Sequence, residues 1–159
     1  MLESPQKHAP VSGDAATRSR MVAQRRRDTN CEMALRRLLH RKGLRYRVDY
    51  AATSQPRIRA DIVFPKARIV VFVDGCFWHG CSTHRSVPRR NRSWWQKKIE
   101  YNQQRDERSN QLHEGEGWKV FRFWEHDRPE DIATLLIAAI AERGVLIKAG
   151  ATTGGGPRS

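Results

Sequence analysis

The chain has 159 residues, enough for one domain with little length to spare. Its 30 Lys and Arg against 17 Asp and Glu leave a net charge of +13. That charge excludes an ordinary neutral metabolic enzyme as the default and favours a polyanionic partner, either nucleic acid or an anionic membrane surface. No apolar run approaches the ~20 residues that span a bilayer, the N-terminus lacks a signal-peptide core, and three cysteines are too few for a disulfide framework. A cytoplasmic protein in a reducing compartment is expected.

Residues 1–17 are polar and aperiodic, which predicts a disordered tail; the run Gly154-Gly155-Gly156-Pro157 predicts another over 148–159. One domain is expected between them, at 18–147. In chain order, Cys31 to Lys42 reads as a helix, with Leu35, Leu38 and Leu39 on one face, Cys31 in its core and Gly43 as a stop. Arg45 to Tyr50 suits a short edge strand. Ala60 to Phe64 and Ile69 to Val73 predict an antiparallel pair around Lys66-Ala67-Arg68. Ser93 to about Glu114 is a long polar helix, and Trp118 to Trp124 an apolar strand. Asp127-Arg128-Pro129-Glu130 marks a capped helix whose face carries Ile132, Leu135, Leu136, Ala139 and Ile140. This order implies an α/β fold, a mixed sheet flanked by helices.

Several acids fall where the pattern asks for apolar residues. Glu32 shares the stripe of Leu35 and Leu39, Asp106 shares that of Trp95, Ile99 and Asn102, and Asp61 interrupts a strand beside Ile62-Val63-Phe64. Burying a carboxylate is costly unless it is paired or holds a cation. A structural acid bonded to arginine accounts for any one of them. Three converging on one sheet end instead suit a Mg²⁺-dependent nuclease, because a hard cation takes oxygen ligands and offsets charge on an attacked phosphate.

After the Ile69 to Val73 strand comes Asp74-Gly75-Cys76-Phe77-Trp78-His79-Gly80-Cys81-Ser82-Thr83-His84. Thiolate and imidazole are the ligands zinc prefers, and this run could supply all four of a structural site. His126 is a further candidate; as the fourth ligand beside Cys76, Cys81 and His84 it would free His79 for chemistry. Phe77 and Trp78 either cap such a site or project outward to stack between bases. The basic stretches Arg18 to Arg27 and Arg85 to Lys98 read as solvated faces or as phosphate clamps bracketing the site.

The motifs Asp61-Ile62-Val63-Phe64-Pro65, Gly75-Cys76-Phe77-Trp78-His79, Trp95-x-x-Lys98-Ile99-x-x-Asn102-x-x-Arg105-Asp106 and Gly117-Trp118-x-Val120-x-x-x-Trp124-Glu125 occur in this order, preceded by Met21 and Asp28-Thr29-x-x-Glu32. Together, over about Arg18 to Glu142, they resemble the very-short-patch-repair (Vsr-type) DNA mismatch endonucleases. The resemblance implies a restriction-endonuclease-like fold of the PD-(D/E)XK kind with a structural zinc. It implies a Mg²⁺-dependent nick on the 5′ side of the thymine in a T:G mismatch, made by a monomer. Such mismatches arise when 5-methylcytosine deaminates, so a DNA cytosine methyltransferase and downstream repair proteins would be functional partners.

Carried over by position, Asp61 and the backbone carbonyl of Val73 would hold magnesium. His79 would act as general base, oriented by Asp106, and Glu32 would sit in the water network at the leaving group. Met21, Phe77 and Trp78 would enter the base stack. This chain departs from the family pattern at Asp74, where a histidine is usual. A carboxylate there cannot protonate a leaving group at neutral pH unless its pKa is strongly raised; as a metal ligand it would restore the second acid of the general nuclease pattern. It also carries His126 where cysteine is usual, an exchange equivalent for zinc. Two rivals share these features: a mismatch nuclease of the same fold with different or broader specificity, and a non-catalytic zinc-stabilised DNA-binding module. A membrane-surface protein fits the charge but lacks the apolar face of an interfacial helix.

Overall fold

The computed structural model describes residues 29–84, 87 and 89–146. The two expected tails, Met21, Arg85 and the basic stretch Arg18 to Arg27 lie outside the described residues.

Helix α1 (Asn30–Arg41) starts where Thr29 accepts the N–H of Glu32 in its hydroxyl at 3.3 Å. Leu35 and Leu39 recur at helical spacing and are completely buried. Cys31 is only half-buried, with Sγ 4.0 Å from the carbonyl of Asp127. It is therefore a half-buried residue at the helix end and not the core residue expected.

Strands β1 (Arg47–Tyr50), β2 (Ala60–Phe64), β3 (Ile69–Asp74) and β4 (Lys119–Trp124) form one sheet in that order. The first two pairings are antiparallel, and β3 and β4 run parallel. A parallel neighbour needs a long crossover. It is supplied by α2 (Cys76–His79) and the 24-residue α3 (Arg92–Gly115). Helix α4 (Pro129–Glu142) returns to pack with α1 on one face of the sheet.

That face is the main core: Leu35, Leu39, Ile62, Ile69, Val71, Ile132, Leu136 and Ile140 are all essentially inaccessible. Val63, Val70 and Phe72 lie on the opposite face, where His113 of α3 meets the ring of Phe72 edge-on at 5.5 Å. Side chains alternate along a strand. Asp61 therefore shares the face of Val63, Asp74 that of Phe72, and Arg122 that of Val120. Three charged groups are thus placed under α3.

Two local expectations are corrected at α4. Asp127 does not cap it: its carboxylate accepts the N–H of Trp124 at 2.7 Å and closes the turn after β4. Arg128 occupies the cap position without a side-chain bond, and Pro129 opens the helix. The buried face carries Ala133 in place of Leu135, which is 55% exposed. A helix advances about 100° per residue, so Leu135 lies a quarter-turn from Leu136 and off the stripe.

Candidate active site and metal centre

On the α3 face the sheet opens into a cavity of about 350 Å³. Glu32, Asp61, Asp74, His79 and Asp106 line it, and Arg57, Arg59, Arg105 and Arg122 supply positive charge around them. Residues far apart in sequence meet here because α1, the ends of β2 and β3, α2 and mid-α3 all reach one end of the sheet.

Asp61 accepts the backbone N–H of Val73 in Oδ2 at 2.7 Å. No hydrogen bond to its Oδ1 occurs among the described residues. Burial, with the negative charges of Glu32 and Asp74 nearby, raises its carboxyl to about 6 despite that bond. Glu32 is buried and paired with Arg36 at 3.1 Å. His79 Nδ1 is hydrogen-bonded to Asp106 Oδ2. Burial alone would raise Asp106, but the bond to His79 and the charges of His79, Arg122 and Arg105 hold it below its ordinary value.

Asp74 lines the cavity with its carboxylate paired to an arginine. Arg122 donates Nη1 to both of its oxygens, at 2.7 and 2.9 Å. Donor atoms of Asp74, His79 and Asp106 do lie within 4.8 Å of one another. Together with Arg122 these three form a hydrogen-bonded charge network at the cavity wall.

Helix α2 is the piece between this network and the cysteines. Cys76 to His79 forms one helical turn after Gly75, and Gly80 ends it with φ +70°. A Cβ at Gly80 would meet Ile99 Cγ2 and Gln103 Nε2 of α3 at 2.8 Å, so only glycine permits this approach. Asn102 then donates to the carbonyl of Trp78 at 2.8 Å, and Gln103 to that of His79 at 3.1 Å. Glu125 receives the N–H of Cys76 at 2.8 Å. Asn102, buried on the stripe of Trp95 and Ile99, thus fixes the segment that carries His79.

Sγ of Cys76 and Cys81 and ring nitrogens of His84 and His126 all lie within 4.8 Å of one another. The sulfur-to-Nδ1 distances are 3.8 and 3.9 Å for His84 and 3.0 and 4.0 Å for His126. Four ligands at ~2.0–2.3 Å from a tetrahedral metal are separated by about 3.6 Å, so these residues suit such a centre without rebuilding. His79 is not among them. The two thiols are buried and the two imidazoles exposed, so the cluster spans the protein surface and its interior. Phe77 and Trp78 are half-buried, edge-to-face on each other at 5.1 Å and grouped with Trp95.

Sequence reasoning did not single out Arg122, Asn110, Arg57 or Arg59. Arg122 was the most legible of them, a lone cation inside the otherwise apolar Val120-Phe121-Arg122-Phe123-Trp124.

A strand carboxylate and a histidine–aspartate pair in a basic cavity are the equipment of an endonuclease acting on DNA. The family model for the DNA mismatch endonuclease Vsr matches residues 12–85. The type II nicking enzyme V.NaeI of Lentzea aerocolonigenes is 40% identical over 130 residues, 80% of this chain and 78% of that protein. The type II nicking enzyme V.HpaIIP of Haemophilus parainfluenzae is 34% identical over 130 residues, 78% of this chain and 89% of that protein. The DNA mismatch endonuclease Vsr of Escherichia coli K12 is 39% identical over 114 residues, 70% and 71% of the two chains. The chain belongs to the Vsr family of DNA mismatch endonucleases. None of the helices among its described residues is long and apolar enough to cross a membrane.

Proposed function

We propose that this endonuclease nicks one strand of duplex DNA on the 5′ side of the thymine in a T:G mismatch, using Mg²⁺, on a restriction-endonuclease-like scaffold stapled by zinc. The observation that carries the reading is the meeting of Asp61 with the His79–Asp106 pair in one basic cavity. Asp61 and the Val73 carbonyl would hold the catalytic cation, and oxygen donors fit a hard divalent ion. Magnesium bound there supplies positive charge against the charge gathering on the attacked phosphate. Asp106 holds His79 Nδ1, so Nε2 is the nitrogen that takes the proton of the attacking water. Glu32, buried beside Asp61, orders water at the leaving group. The products are a 3′-hydroxyl and a 5′-phosphate.

Cys76, Cys81, His84 and His126 would hold the zinc, a set whose mutual distances support tetrahedral binding. Phe77 and Trp78, with Met21 from the N-terminal arm, enter the base stack beside the mismatch, where a weakened pair lowers the unstacking cost. One chain cuts one strand as a monomer in the bacterial cytoplasm, serving a DNA whose cytosines a methyltransferase modifies, and repair proteins process the nick. The Asp74–Arg122 pair, which stands where the family pattern has a histidine, supports a second reading in which the same chemistry serves a different mismatch.

The test is a gel nicking assay on T:G, every other mismatch and paired C:G duplexes, with Mg²⁺ or with chelator. A nick 5′ to the thymine of T:G that needs Mg²⁺ is expected. Preference for another mismatch selects the second reading, and failure to cut any duplex refutes both.

A further inference from the structure

Arg122 stands mid-strand in β4, opposite Phe72 in the parallel register, with Asp74 two residues further along the same face. Its guanidinium carbon lies 4.3 Å from the centre of the Phe72 ring. Nη1 is spent on both oxygens of Asp74, and Nε donates to Asn110 Oδ1 at 2.8 Å. Nη2 faces the backbone carbonyl of Asp106 at 3.5 Å and its Oδ1 at 3.7 Å. One planar cation therefore ties the end of β3 to the middle of α3, a geometry that the single-point ammonium of lysine cannot reproduce.

The consequence concerns His79. Its Nδ1 has two carboxylates within reach: Asp106 Oδ2, to which it is bonded, and Asp74 Oδ1 at 3.7 Å. A ring nitrogen carries one proton and can serve only one of them well. Arg122 engages both oxygens of Asp74 and leans on Asp106, so the choice falls on Asp106. All four side chains are 12–19% exposed, and water is therefore a poor substitute for these partners.

We propose that Arg122 is a positioning residue for the nicking reaction: by occupying Asp74 it leaves Asp106 as the sole acceptor for His79 and so aims the other imidazole nitrogen into the cavity. Without Arg122, Asp74 competes for Nδ1 and the ring swings away. Asp74 in this chain is the counter-ion of Arg122 and not a further cation ligand. The inference rests on His79 being the base.

The test is a set of variants read by single-turnover nicking at saturating enzyme, by DNA affinity in chelator, and by the NMR resonance of the His79 Nδ1 proton without Mg²⁺. Arg122→Met should slow nicking about 10²-fold and shift or broaden that resonance, with DNA affinity within about threefold of the parent. Adding Asp74→Ala removes the competitor, so the double variant should regain at least about tenfold in rate and recover the resonance. Loss of a salt-bridge girder or of a phosphate contact would not be reversed in that way. Should Arg122→Met fold poorly, Arg122→Lys with and without Asp74→Ala gives the same comparison. Nicking by Arg122→Met within about threefold of the parent overturns the proposal, as does a double variant no faster than the single one. A fully active His79→Ala instead removes the underlying assignment of the base, so the two failures are distinguishable.

Discussion

Asp61 is held where a carboxylate is expensive. It lies beside Glu32 and Asp74, and one backbone N–H is the only donor that it receives among the described residues. Its folded-state carboxyl titrates at about 6 against an ordinary 3.8, so between those values the native state binds more protons than the unfolded chain. Stability accordingly falls as pH rises through that window and stays lower above it. In chelator, Asp61→Asn should raise the unfolding free energy by on the order of 1–3 kcal/mol near pH 8, with the gain fading towards pH 4. The same substitution should abolish nicking and leave DNA binding largely intact. Denaturant titrations at several pH values check the first outcome and the nicking assay the second. At His79 the expectation is loss of nicking in His79→Ala with one zinc per chain retained, measured by metal analysis of the purified variant. Its nitrogen is engaged by Asp106, away from the cysteine–histidine cluster.

At the scale of elements, α2 has four residues and no stability of its own. It is positioned by Gly80, by Asn102 and Gln103 reaching from α3, and by Glu125 from the end of β4. Gly80→Ala should therefore cost at least about 1–2 kcal/mol, since it adds left-handed strain to a contact already closed to a methyl group. Thermal denaturation checks the cost. The nicking rate should fall further than stability alone explains, because His79 precedes the strained residue. Helix α3 joins both centres through Trp95, Ile99, Asn102 and Asp106 along one stripe, and its expected polar face is solvent-exposed. Stripping the metal from Cys76, Cys81, His84 and His126 with a strong chelator should lower the melting temperature and release one zinc per chain, since binding energy at such a centre is folding energy.

For the whole molecule, the charge of +13 sets the response to salt. Arg57, Arg59 and Arg105 rim the cavity, and Arg89, Arg90 and Arg92 stand exposed ahead of and at the start of α3. DNA affinity should fall linearly in log–log against salt, and each of Arg89→Ala and Arg90→Ala should reduce the magnitude of that slope by about 1. Fluorescence anisotropy across a salt series measures it. Local patterns disclosed much of this architecture. The leucine stripe of α1, the two apolar runs around Lys66-Ala67-Arg68 and the stop at Gly43 are near-neighbour effects, and each stands where the pattern places it. Leu135 and Asp127 did not follow, because one sits at the border of a stripe and the other had a backbone donor closer than the helix it precedes.

Composition and periodicity alone determined that a basic chain would fold as a sheet with helices, and that acids at apolar positions needed partners. Spacing also grouped the cysteines and histidines of the Cys76 to His84 run, because ligands within nine residues of chain need little help to meet. Which charges pair was decided only in three dimensions. Asp74 and Arg122 are 48 residues apart, and a parallel register between β3 and β4 sets them on one face, two residues out of step. His126 joins Cys76 across 50 residues for the same reason. Periodicity tells which side of a strand a residue takes; only the assembled sheet decides what waits there.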